Sequence, residues 1–209
     1  MSVFALVGNK GGTGKTTLGI NIAHCLAETG ATVLLDADPQ GSSLQWCAIG
    51  GDTLDLVVED AGKEIGSTIS DRRNRFRHVI VDCPPSVHSR ATRQALECCD
   101  LALIPVQPSP LDLWASVHIE RELDRARRHN ADLQALLVIN QLEPRTQLSR
   151  LTREALSELS LPAAETAIRR RVAYRNAVLR GRSVLNLGSQ GAAAAEEIRQ
   201  LVRELVNRL

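Results

Sequence analysis

The residues of this chain best suited to chemistry form one glycine-rich stretch, Gly8-Asn9-Lys10-Gly11-Gly12-Thr13-Gly14-Lys15-Thr16-Thr17. A loop of this kind that runs into a helix turns successive backbone N–H groups toward one point, and the helix N-terminus adds partial positive charge there. The result is a seat for phosphates. Glycine is needed because the backbone must come close to the ligand and take conformations that a side chain would forbid. Such a loop seats ATP with the backbone of Gly11, Gly12, Thr13, Gly14 and Thr17, while Lys15 opposes the β- and γ-phosphates and the Thr16 hydroxyl reaches Mg²⁺. Asn9 stands where the strict pattern has glycine, but Gly-Lys-Thr is intact. The lysines of the whole chain are Lys10, Lys15 and Lys63, so two of them fall in this loop. Lys10 lies too far round the loop to meet its own γ-phosphate. It is either a solvated charge or a group that reaches a nucleotide held by a facing subunit, which would make ATP part of a dimer interface.

Carboxylates follow two other apolar runs. In Asp36-Ala37-Asp38-Pro39-Gln40-Gly41 the two acids are two residues apart, and in extended chain they point to the same side. Val79-Ile80-Val81-Asp82 ends in an acid placed to hold Mg²⁺ through its hydration shell. Farther on, Arg169, Arg170, Arg171, Arg175, Arg180 and Arg182 occur between Thr166 and Arg182 without one acidic residue. Arginine suits phosphate because its planar fork donates paired hydrogen bonds and keeps its charge. The segment is therefore either a duplex-binding patch, with Arg169, Arg170, Arg171 and Arg175 as its expected contacts, or a solvated helix face. The histidines, His24, His78, His88, His118 and His129, have no metal-ligand spacing.

These residues need a scaffold, and the apolar pattern supplies one. Val3 to Val7, Val33 to Leu35, Val79 to Val81, Leu101 to Val106 and Leu136 to Ile139 read as buried strands with helical patterns between them. Strands alternating with helices predict an α/β fold with a mostly parallel sheet flanked by helices, in which ligands sit beyond the carboxyl ends of the strands. The clearest helix begins near Lys15, with Leu18, Ile22 and Leu26 on one face and Gly30 at the place of a C-terminal cap. Ala192 to Leu209 reads as an amphipathic helix of mixed charge, with Ile198, Leu201, Leu205 and Leu209 on the apolar face, expected to pack on the sheet and not on a membrane.

Composition bounds the rest. A chain of 209 residues with 44% hydrophobic content is expected to form one domain, residues 1–209. Lys plus Arg number 25 against 24 for Asp plus Glu, so any nucleic-acid surface must be a local patch. Aromatic residues at 2% exclude base stacking as the main mode of nucleic-acid binding. Cys25, Cys47, Cys83, Cys98 and Cys99 lack Cys-x-x-Cys spacing and read as core residues of a reducing, cytoplasmic compartment.

The stretch Lys10 to Thr16 resembles the signature of the deviant Walker A ATPases, the P-loop NTPase family of ParA, MinD and the nitrogenase iron protein. The likeness extends through the Pro-rich segment Val106 to Asp112, through Asn140 to Thr146, and through Thr166 to Val184, and is strongest to short ParA proteins. It implies that Lys10 acts in catalysis across a dimer and that Asp38 orients the attacking water. It also places Asp36 beside the Mg²⁺ shell and Asn140, Pro144 and Arg145 on the adenine side. By this resemblance the chain is expected to be a nucleoid-associated ATPase that forms a homodimer with ATP and binds nonspecific double-stranded DNA. A small cargo-bound adaptor would stimulate its hydrolysis. The first expectation for its cargo is plasmid or chromosomal DNA, moved through a centromere-binding adaptor. The alternatives are a protein cargo, such as a carboxysome or chemoreceptor cluster, and a membrane-cycling regulator like MinD.

Overall fold

The structure is a computed structural model, and it describes residues 1–51, 55–109, 119–143 and 160–209. The five apolar runs are strands: β1 (Ser2–Leu6), β2 (Thr32–Asp36), β4 (His78–Asp82), β5 (Leu101–Val106) and β6 (Gln134–Ile139). A further strand, β3 (Val57–Asp60), completes a six-stranded sheet in the order β3-β2-β4-β1-β5-β6, with every pairing parallel. β3 escapes the sequence pattern because it is a short edge strand, exposed at Val57 and Asp60, and needs no continuous apolar run.

Side chains alternate across the strands and divide the core in two. Val3, Ala5, Val33, Leu35, Val79 and Val81 pack with α3 (Ile65–Arg73), α4 (Arg90–Cys98) and a helix described over 119–126, here α5. Phe4, Leu6, Leu34 and Ile80 pack with α1 (Lys15–Ala27) and α7 (Ala192–Arg208) on the other face. α2 (Ser42–Gly50) and α6 (Val172–Leu179) join that second layer through Trp46, Tyr174 and Ala177.

The C-terminal helix buries Ile198, Leu201 and Leu205 as expected, whereas Leu209 is left 48% exposed at its end. Among the described residues no helix is long and apolar enough to cross a membrane. Gly30 does donate its N–H to the Leu26 carbonyl, but it is not left-handed. Its small size matters for another reason, since a Cβ there would lie 2.6 Å from the Arg77 side chain.

Register brings the chemistry together. Asp82 pairs with Leu6 on one side and with Asp36 on the other, so both acids sit side by side at the carboxyl ends of their strands, next to the strand that leads into the glycine loop.

Candidate nucleotide site

The loop after β1 has the backbone that a phosphate cradle requires. Gly12 and Gly14 hold φ of 80° and 92°, a region that L side chains avoid, and a Cβ on Gly14 would lie 2.3 Å from Asn140 Nδ2. Amides from the ends of β5 and β6 tie the loop down. Asn140 Nδ2 donates to the Thr13 carbonyl at 2.7 Å, while Gln107 and Gln141 donate to the Gly12 carbonyl at 2.7 and 3.1 Å. Gln141 is the single non-glycine residue with positive φ among the described residues, at 57°. A conformation of that kind persists only where contacts enforce it, and the grip on Gly12 is such a contact.

Lys15 opens α1 and is buried, with its ammonium donating to the Lys10 carbonyl at 3.1 Å. Burial lowers its pKa, and the charges of Asp82 and Asp38 act in the opposite direction. A partly desolvated ammonium whose hydrogen bond goes to a neutral carbonyl is well prepared to take phosphate oxygens. Around it are two buried oxygens with no partner, Thr13 Oγ1 and Asp82 Oδ1.

Asp82 is 1% exposed, and burial pushes its pKa up to about 6 against hydrogen bonds from Thr16 and Ser43. Ser43 Oγ donates to Asp82 Oδ2 at 2.9 Å. Asp36 is engaged differently. One of its oxygens accepts the Asp38 N–H, and the other accepts those of Ser43 and Leu44, in the first turn of α2. Burial is the larger influence on Asp36 and raises its pKa, while these three N–H groups lower it. Asp38 lies half-buried in the turn before α2, where it accepts the Gln40 N–H at 3.0 Å.

This arrangement fits a hydrated Mg²⁺. The orphaned Asp82 oxygen and the Thr16 hydroxyl beside it are hard donors, and Mg²⁺ takes few protein ligands and keeps several waters.

A cavity of about 500 Å³ opens on the far side of the loop, lined by Gly14, Thr17, Asn140, Gln141, Tyr174 and Val178, with arginines at its rim. It has room for a nucleoside, if phosphates occupy the loop beside it. The structure thus gathers Lys15, Thr16, Asp36, Asp38, Asp82, Thr17 and Asn140 around one site. Pro144 and Arg145, expected on the adenine side, lie outside the described residues, as do Pro110 to Asp112.

The arginine segment differs from its sequence pattern. Arg171 makes a forked pair with Glu197 of α7, with the shortest bond at 2.6 Å, and Arg169 lies 3.6 Å from the same carboxylate. Arg170 pairs with Glu143 at 2.7 Å. These expected duplex contacts therefore already have acidic partners that are remote in sequence, and they line the cavity rim. Arg175 is exposed on α6 and also lines the rim, while Arg180 and Arg182 flank the turn that follows.

Sequence reasoning missed Ser43, Gln107, Gln141 and Glu197 as individual contributors. Ser43 had a signal, since it stands at a helix start just after an acid-rich strand end. Glu197 had none, because its partners are 26 and 28 residues away.

Comparison with known proteins agrees with this geometry. The chain is 40% identical over 212 residues to Maintenance of carboxysome distribution protein A of Halothiobacillus neapolitanus, covering 97% of this chain and 95% of that protein. It is 27% identical to the chromosome partitioning protein ParA of Caulobacter vibrioides, covering 100% of this chain and 95% of that one. Its fold matches that of cobyrinic acid a,c-diamide synthase from Mycobacterium smegmatis, solved with a bound ATP analogue and magnesium. That match has a TM-score of 0.80 and 23% identity, over 100% of this chain and 95% of the other. The model of the CobQ/CobB/MinD/ParA nucleotide binding domain matches residues 4–184, and the chain belongs to that family.

Proposed function

We propose that this chain is an ATP-switched, dimer-forming ATPase that distributes a protein cargo, with the carboxysome as that cargo. The observation that carries the choice of cargo is the 40% identity, over nearly the whole of both chains, to a carboxysome distribution protein, against 27% to a chromosome partitioning ParA. Partition of plasmid or chromosomal DNA, the first expectation from sequence, has only the family to support it. A membrane-cycling role has less, since α7 spends Ile198, Leu201 and Leu205 on the core.

In this reading Lys15 exchanges the Lys10 carbonyl for the β- and γ-phosphate oxygens of ATP. Thr16 and Asp82 hold Mg²⁺, which supplies charge neutralisation at the phosphates, and Asp36 acts by fixing the start of α2. Asp38 orients the attacking water. Lys10 reaches the nucleotide of the facing subunit, so that the dimer forms only with ATP, and the ATP dimer binds nonspecific duplex DNA. An adaptor on the cargo stimulates hydrolysis and releases that subunit from DNA, so the cargo follows the gradient of bound ATPase.

The test is genetic and visual. In the host, deletion of the gene should collapse evenly spaced, fluorescently labelled carboxysomes into clusters while plasmid inheritance stays normal. Normal carboxysome spacing with increased plasmid loss would sink the cargo reading in favour of DNA partition.

A further inference from the structure

The metal-side carboxylates and the basic turn Arg180-Gly181-Arg182 lie at opposite ends of one short helix. At its N-terminal end α2 is held by Asp36, which accepts the N–H groups of Ser43 and Leu44, and by the Ser43 hydroxyl, which donates to Asp82 at 2.9 Å. At its other end Gly181, with φ of 59°, sits so close that a Cβ on it would lie 2.1 Å from the Gly50 nitrogen. Between these ends Trp46, 2% exposed, donates its indole N–H to the Arg182 carbonyl at 3.1 Å. The helix is flanked by Gly41 at φ 63° and Gly51 at φ 57°, the residue type that best absorbs a backbone rotation. Nine residues at 1.5 Å rise make a rod of about 13 Å.

We propose that α2 is a lever that transmits occupancy of the nucleotide site to the Arg180–Arg182 turn, with Trp46 as the joint at the turn. The physical cause lies at Asp82. Its Oδ1 is buried with no partner and its Oδ2 accepts from the Ser43 hydroxyl, so a cation drawn to Oδ1 would draw charge from the carboxylate and weaken its hold on Ser43. A change at Ser43 reaches α2 at the turn that Asp36 also holds. The helix is short and stiff between its two glycines, and it is hydrogen-bonded to the turn, so the turn must follow. Two guanidiniums, those of Arg180 and Arg182, change position as a consequence. Coupling of this kind needs contacts that differ between two states, and the shared Asp82 carboxylate provides that difference.

The proposal rests on the assignment of the glycine loop as the ATP site, and the experiment keeps the two apart. Backbone hydrogen exchange of the full chain is followed with Mg²⁺ alone and with Mg²⁺ plus a slowly hydrolysed ATP analogue, without DNA. In the unaltered protein the analogue should slow exchange in the loop at residues 8–17 and change it in residues 180–187 by roughly fivefold or more, the lower end of couplings between protein sites. Trp46→Phe keeps an aromatic side chain, though a smaller one, and removes the N–H. It should retain protection of the loop and lose the response of the turn. Ser43→Ala cuts the other end and should uncouple the turn in the same way, which keeps the test decisive if the Trp46 variant fails to fold. A protected loop with an unresponsive turn in the unaltered protein would overturn the lever, as would a response retained in either folded variant. An unprotected loop would overturn the nucleotide assignment itself, and the loop peptides report that outcome separately.

Discussion

Replacing Asp82 by Asn should remove one pH dependence of stability and so reverse the ranking of the two proteins between acid and neutral pH, because this carboxylate is held in the fold at a cost. Burial is the dominant influence and lifts its pKa from 3.8 to about 6, in spite of hydrogen bonds from Thr16 and Ser43 and the charge of Lys15. Below pH 3.8 the group is protonated in both folded and unfolded chains and contributes no pH dependence. Between 3.8 and about 6 the folded chain keeps a proton that the unfolded chain has lost, so stability falls as the pH rises. Above about 6 the full penalty applies, roughly 3 kcal/mol at 1.36 kcal/mol per pKa unit.

Asparagine removes the charge but puts an amide N–H₂ where Oδ1 has no partner, which returns about 1–3 kcal/mol as an unsatisfied donor. At pH 7.5 the variant should therefore be more stable by about 1 kcal/mol, or about 2–4 °C in Tm for a chain of this size. At pH 4 the unaltered protein has shed its penalty and should be the more stable by about 2 kcal/mol. Thermal melts of both proteins from pH 4 to 8 without nucleotide would show the two curves cross. Mg²⁺ and ATP at about a hundred times Kd should add about 2.7 kcal/mol to the unaltered protein and little to the variant. A variant less stable at every pH, or a difference that does not change with pH, would refute the reasoning and mean that Lys15 already compensates the charge.

Other substitutions separate the remaining roles. Lys15→Ala should abolish ATP binding in equilibrium titrations, whereas Lys10→Ala should bind ATP as a monomer but fail to dimerise by light scattering. Asp38→Ala should bind ATP and dimerise yet lose stimulated turnover in a phosphate-release assay, since water positioning is lost while the phosphate contacts remain. Glu197→Ala strips the charged partner from Arg169 and Arg171 and should cost about 2 kcal/mol in denaturant unfolding, with a raised KM for ATP, because hydrogen bonds to charged groups are each worth about 1.5–3 kcal/mol.

Much of the fold was legible because parallel strands buried on both faces must be continuous apolar runs, and the runs at Val3, Val33, Val79, Leu101 and Leu136 are all strands. β3 was not legible, since an edge strand half in solvent carries no such requirement. The glycine loop was legible for a related reason. Positive φ at Gly12 and the close approach of Asn140 to Gly14 leave no alternative residue, so the chemistry is written in glycine itself. The amides that hold the loop come from the ends of β5 and β6, and their reach depends on strand order, which no local pattern encodes.

In the arginine segment a local charge count leaves out acidic partners that are remote in sequence. From Thr166 to Arg182 no acid is in the sequence, yet α7 and the end of β6 bring Glu197 and Glu143 against Arg169, Arg170 and Arg171. Phosphate contacts are worth most where a guanidinium has no partner to give up, and a paired arginine must first break its ion pair. Among the described residues no ion pair is formed by Arg175, Arg180 or Arg182, so a duplex would engage these before Arg169, Arg170 and Arg171. If each met one phosphate in each subunit of a dimer, replacing all of them by Ala should flatten the slope of log affinity against log salt by up to about five. The loss should be alike for any duplex sequence, because phosphate contacts do not read bases. An unchanged slope in ATP-dependent DNA binding over a salt series, with the slope instead falling in an Arg169→Ala, Arg170→Ala protein, would return the duplex surface to the cavity rim. The ion pairs would then have to open when DNA binds, and the nucleoside cavity and the DNA would share one wall.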